Sequence, residues 1–250
     1  MWKVSPSVLV TVVALLSPVA ASASSYIVNP TRVYLNANAS SGLLTLKNES
    51  DQPLRMQVKA HQWAQGLDGE IQLSPTDDLI VFPALLTLKP GEERRIRVAT
   101  AVPFGAVEKT YRIYVEELPP TTVEKSEGAS VKILTRMGVP VFVQPAKPQA
   151  AAVVRDLRLS HGRVTFQLAN TGNSHFLPSS VVVRGFTANG VSVADWSANG
   201  WYVLAGTARS FSMALDAPAC GRVGSLLVEV TVGETVLKSP LTTPGGACAE

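Results

Sequence analysis

The chain has 250 residues, of which 46% are hydrophobic and 16% charged, and a formal net charge of +3. This composition supports buried cores and excludes a disordered chain, and the length admits one large domain or two of ordinary size. The slight basic excess is spread along the sequence, which excludes the clustered basic stripe of a nucleic-acid-binding protein.

The N-terminus carries Lys3, then the apolar run Val8 to Leu16, then the small residues Ala21-Ser22-Ala23. A positive start, a short apolar core and a small-residue cleavage site predict an export signal over residues 1–23, with the mature chain beginning at Ser24. The run is shorter than the about 20 apolar residues that span a bilayer, so the mature protein is expected not to be membrane-embedded.

Beyond residue 23 the dominant period is two. Leu44 and Leu46 alternate with Thr45 and Lys47, Met56 and Val58 with Gln57 and Lys59, and Ile96 and Val98 with Arg95 and Arg97. Tyr111, Ile113 and Val115 alternate with Arg112 and Glu116. Each run puts apolar side chains on one face and polar ones on the other, the pattern of half-buried antiparallel strands. Asp68-Gly69, Lys89-Pro90-Gly91 and Pro119-Pro120 separate them with turn chemistry. No stretch keeps a helical period over three turns.

From Gln144 to Ala152 the composition shifts to Pro, Ala and Gln, which predicts a stiff linker. The strand pattern then restarts: Val164, Phe166 and Leu168 alternate, Asn170 to Asn173 turn, Val181 to Phe186 run apolar, and Asn189-Gly190 marks a hairpin. Arg209 to Leu215, Leu226 to Val232 and Thr235 to Leu241 complete the set. Each half holds about seven short strands, the number in an immunoglobulin-like sandwich. The expected fold is all-β, two such domains in tandem over residues 24–145 and 146–250.

Catalytic chemistry lacks its parts. His61, His161 and His175 are scattered, and there is neither a Gly-x-Ser-x-Gly elbow nor a phosphate-binding loop. Asp77-Asp78 and Glu116-Glu117 are adjacent pairs, which point to opposite faces of a strand. No enzyme activity, metal or cofactor is expected. Cys220 and Cys248 are the two cysteines; in an exported protein they suggest one disulfide, with two free thiols as the alternative.

Several segments, in order, resemble the PapD-like periplasmic chaperones of the chaperone–usher pilus pathway. These are Asn29-Pro30-Thr31-Arg32-Val33, Leu46-Lys47-Asn48, Phe82 to Glu92 with the Arg-bearing strand to Val98, and Tyr111 to Pro120. In the second half the likeness rests on Leu168 to Gly172 and Val203 to Phe211. The resemblance implies a periplasmic chaperone that holds a pilus or fimbrial subunit by lending it a β-strand and delivers it to an outer-membrane usher.

On this resemblance the donor strand lies within Ser130 to Val143, with Ala129, Val131 and Ile133 facing the subunit and Val139, Val141 and Val143 returning to the chaperone's own core. The family also binds the subunit's C-terminal carboxylate with two basic residues. Arg32 matches the first. The second is usually a lysine five residues before the proline that closes the strand, and counting back from Pro145 gives Pro140 here. Arg136 is the nearest basic residue and the expected substitute. Free chaperone is expected to self-associate through its uncovered edge. The competing expectation is a secreted two-domain adhesion or ligand-binding module that binds through loops.

Overall fold

A computed structural model describes residues 25–120 and 133–243. The first ten strands are β1 (Tyr26–Asn29), β2 (Val33–Leu35), β3 (Ser41–Asn48), β4 (Leu54–Gln65), β5 (Ile71–Pro75), β6 (Leu79–Phe82), β7 (Leu85–Leu88), β8 (Glu93–Thr100), β9 (Lys109–Glu117) and β10 (Arg136–Val143). They make two facing sheets: β1-β3-β8-β6, and β2-β10-β9-β4-β5 with β7 also paired to β4. The next seven are β11 (Ala152–Ser160), β12 (Arg163–Asn170), β13 (Pro178–Phe186), β14 (Ser192–Ala198), β15 (Ala208–Ala214), β16 (Ser225–Val232) and β17 (Thr235–Thr242). They form β11-β12-β15 against β14-β13-β16-β17, with one helical turn, α1 (Ala217–Cys220), before β16. The molecule is therefore two immunoglobulin-like sandwiches, as the sequence predicts, with ten strands rather than about seven in the first because its edges are broken into short pieces (β1 and β2, β6 and β7).

Alternation explains why each sheet has an inside. Leu44, Leu46, Ile96, Val98, Tyr111, Ile113 and Val115 are fully buried in the first core, joined by Val139, Val141 and Val143 of β10. Phe166, Leu168, Val181, Val183, Val228 and Val230 fill the second. The predicted turns fall between strands: Gly69 joins β4 to β5, and Asn189-Gly190 joins β13 to β14.

Each sandwich is closed at one corner by a buried asparagine, Asn48 at the end of β3 and Asn170 at the end of β12. Asn48 donates through Nδ2 to the carbonyls of Gln52 (2.8 Å), Leu88 and Lys89, while its Oδ1 accepts from the Ser50 amide (2.9 Å). Asn170 donates to the carbonyls of Ser174 (2.8 Å) and Val203 (3.0 Å) and accepts from the Gly172 amide (2.9 Å). A primary amide alone among side chains supplies two donors and an acceptor in one plane, so it can satisfy crossing loops that have no ladder partner. Gly172 follows from the same corner: a Cβ there would stand 2.2 Å from the Gln149 carbonyl, so the linker runs directly over it.

The two sandwiches are locked by polar and aromatic contacts. Gln65 at the end of β4 donates to the Tyr202 carbonyl (2.6 Å) and accepts from the Leu204 amide (3.2 Å). Glu108, just before β9, accepts from the backbone amide of His175 (3.0 Å), and its Oε1 lies 2.7 Å from His175 Nδ1. The imidazole stacks on Phe142 of β10 at 3.6 Å between ring centroids. Trp63, Phe142, Tyr202 and Leu204 form a third buried cluster that belongs to both sandwiches. The outer face of β4, β9 and β10 is thus covered at one end by the second sandwich.

Two outcomes follow from this packing. Asn48→Ala and Asn170→Ala should each lose about 2–3 kcal/mol of stability, because several buried groups lose their partner at once; chemical denaturation of the two variants checks this. Glu108→Ala should release the interdomain contact without unfolding either core, seen as separate domain alignment in residual dipolar couplings where the parent protein aligns as one body.

Candidate functional site in the cleft between the sandwiches

The site is built on the edge of the first sandwich. β10 pairs with β9 along its whole length, Arg136↔Glu116 to Val143↔Lys109. On its other side it meets β2, in parallel, only at Val141↔Val33, Phe142↔Tyr34 and Val143↔Leu35. Among the described strands, Arg136 to Pro140 therefore have one ladder partner and one open side. Ahead of this segment Ile133 and Leu134 are exposed. An exposed apolar approach to an unpaired edge is what soluble proteins ordinarily avoid with charge, bulges or covering loops.

Ile133 shares its parity with Met137, Val139, Val141 and Val143, which pack in the first core. The return of Val139, Val141 and Val143 to the chain's own core is as the sequence predicts. Ala129 and Val131 lie outside the described residues.

The even-numbered residues of β10 face the cleft. Pro140 stands opposite Arg112 of β9, and Gly138 opposite Tyr114. The alternation in β9 predicts a solvated Arg112, yet only 7% of its surface is exposed, because the second sandwich closes over this face. Its guanidinium lies 4.4 Å from the Trp63 ring and 5.6 Å from that of Trp201. Its Nε has no hydrogen-bond partner, and no described carboxylate forms an ion pair with it. A buried cation held by rings alone has its donors free for an anion.

Arg32 lies between β1 and β2 and is exposed. It and Arg112 both act on the Tyr202 hydroxyl: burial pushes that phenol up, and the two guanidiniums pull it back. Both arginines are thus within electrostatic range of the Tyr202 phenol. Arg136 is placed differently. It pairs with Glu116 (2.7 Å) and lies over the Tyr114 ring, at the far end of β10. From Arg136 to Pro140 the strand rises roughly 13 Å. Cys220 is buried in the second core, and Cys248 lies outside the described residues, as does the predicted export signal. The described residues contain no cluster of metal-binding side chains and no helix long and apolar enough to cross a membrane.

Arg112 and Glu108 were not singled out by sequence reasoning. The available signal was weak: an arginine on the polar face of a strand directly opposite the position where a lysine was missing.

The same two-sandwich fold is found in solved pilus chaperones. The chain is similar to the structure of the CsuC–CsuE chaperone–tip adhesion subunit pre-assembly complex from archaic chaperone–usher Csu pili of Acinetobacter baumannii, at 19% identity and TM-score 0.58, covering 88% of this chain and 99% of that one. It is also similar to the class 5 fimbriae chaperone CfaA, at 13% identity and TM-score 0.59, covering 88% and 100%. The Salmonella enterica SafA pilin–SafB chaperone complex matches at 14% identity and TM-score 0.54, over 87% and 96%. No curated protein matches the chain. Residues 25–149 match the family described as pili and flagellar-assembly chaperone, PapD N-terminal domain, and the chain belongs to that chaperone family.

Proposed function

We propose that this protein is a periplasmic chaperone for pilus or fimbrial subunits, working by donor-strand complementation and passing its cargo to an outer-membrane usher. The observation that carries this reading is the open side of β10 at Arg136 to Pro140, ending beside a buried arginine that has no anion. An incomplete subunit sandwich pairs its groove with this edge. Main-chain hydrogen bonds supply affinity, and alternate side chains fill pockets. Ile133 and, by parity, Val131 and Ala129 enter the groove on the side that leads into the chaperone's core. From Ile133 to Pro140 the strand offers roughly 23 Å of ladder.

The subunit's C-terminal carboxylate is held by Arg32 and a second arginine. Arg136 is the candidate nearest in sequence, but its guanidinium is engaged by Glu116. Arg112 is favoured: it stands across the ladder from Pro140, it is desolvated, and its charge, like that of Arg32, acts on the Tyr202 phenol. A planar guanidinium offers two parallel donors to a carboxylate, and burial strengthens the pair.

Usher docking has a surface of its own. On the outer face of the first sheet, Leu43 and Phe82 flank Arg97 across the ladder, with Ile27 and Ile80 also exposed. This face lies on the opposite sheet from β10, so a subunit and an usher can be held together. Without a subunit, the β10 edge pairs with a second copy of the chain. Export through the signal over residues 1–23 places the protein in an oxidising compartment, where Cys220 and Cys248 join.

The test is co-expression in a bacterial periplasm with the pilin-like proteins encoded beside this chain. Wild type should co-purify a subunit. Arg32→Ala and Arg112→Gln should each weaken retention by about 2–4 kcal/mol, while Arg136→Ala retains it. Failure of wild type to retain any subunit would sink the chaperone reading; loss only in Arg136→Ala would move the anchor to that residue. Thiol labelling of the unreduced mature protein should find neither cysteine reactive, and replacing Cys248 with Ser should cost roughly 3 kcal/mol of second-domain stability.

A further inference from the structure

The carboxylate anchor is walled by an aromatic ring that comes from the other sandwich. Trp201, on the loop after β14, places its indole 5.6 Å from the Arg112 guanidinium, while Trp63 of β4 lies at 4.4 Å. Both indoles meet Tyr202 edge-on, Trp63 at 5.5 Å and Trp201 at 5.7 Å between centroids. Three aromatic side chains, two of them from the second sandwich, thus brace one cation of the first.

The loop that delivers Trp201 is held on both sides. At Gly200 a Cβ would stand 1.5 Å from the Pro178 carbonyl, so the main chain is pressed onto β13 and no side chain fits. On the other side the Tyr202 carbonyl and Leu204 amide are bonded to Gln65 of the first sandwich. Trp201 is 36% exposed and stands outside the buried cluster of Trp63, Phe142, Tyr202 and Leu204.

Aromatic faces attract a guanidinium without consuming its N–H donors. They fix the plane of the group and exclude water, yet leave the donors to an incoming anion. An arginine held by hydrogen bonds to the protein would have fewer donors left. One held by nothing would spend conformational entropy on each binding event.

We propose that Trp201 is a positioning residue for the subunit's C-terminal carboxylate: it fixes the plane of the Arg112 guanidinium and makes the anchor a site completed by both sandwiches. This rests on the reading of Arg112 as an anchor. Carboxylate binding and apposition of the two sandwiches are then coupled, each favouring the other.

The test is a nitrogen-15 NMR titration of the full mature chain. The probe is an N-acetylated Val-Thr-Val peptide, as the free acid and as the C-terminal amide, and the signals are Arg112 Nε–H and the Trp201 indole N–H. In wild type the acid should shift both signals and the amide neither. Trp201→Leu, which keeps apolar bulk without a ring face, should bind the acid about tenfold more weakly and alter the free Arg112 signal, whereas Trp201→Phe should stay within about threefold of wild type. Wild-type affinity and an unchanged Arg112 signal in Trp201→Leu would overturn the inference while leaving the anchor intact. An acid-specific shift that survives in Arg112→Gln would overturn both.

Discussion

The second sandwich rests on the outer face of β4, β9 and β10, and the character of the cleft depends on that contact. Gln65 bonds to the main chain on both sides of Val203, Glu108 takes the amide and ring of His175, and the imidazole lies flat on Phe142. Without this cover the polar face of β9 would be solvated, and Arg112 would be one more surface charge, worth little to any ion pair. With it, Arg112 is 7% exposed, flanked by two indoles and lacking an anion. β2 covers only the last three residues of β10, so the open part of that strand edge runs up to the desolvated cation.

The two sandwiches share a construction and differ in use. Asn48 and Asn170 occupy the same corner, each satisfying loop carbonyls with a buried amide. In the second sandwich the sheet edges are β11 and β15 in one sheet and β14 and β17 in the other. Of these β15 also carries a desolvated arginine, Arg209, whose buried Nε and Nη1 lack hydrogen-bond partners and whose guanidinium lies 5.2 Å from the Phe211 ring. In the first, the edge strand runs from exposed Ile133 toward Arg112. The second sandwich serves mainly as a wall: it supplies Tyr202, Trp201 and His175, all from connecting loops rather than strands.

Much of the fold was legible in the sequence because local periodicity encodes it. Ile96 and Val98, or Tyr111, Ile113 and Val115, announce their buried face within a few residues. Turn chemistry at Asp68-Gly69 and Asn189-Gly190 does the same. The site was less legible because its parts lie far apart in sequence. Glu108 and His175 are 67 residues apart. Gln65 reaches Tyr202 across 137. Period two gives a residue's face but not what lies over it, so the pattern of β9 alone marks Arg112 as solvated although the second sandwich covers it. Arg136 is near Pro140 along the strand, whereas the ladder brings Arg112 to Pro140 across it.

The central claim is that β10 is a strand held open for a partner, and amide hydrogen exchange on the chaperone with and without a co-purified subunit tests it most directly. Those amides of residues 133–139 that are not bonded to β9 should exchange within seconds in the free chaperone monomer and become strongly protected in the complex, with smaller changes at β17 or the loops of the second sandwich. Protection confined to loops at the sandwich ends, with β10 unchanged, would contradict donor-strand binding and favour a module that recognises its ligand through loops.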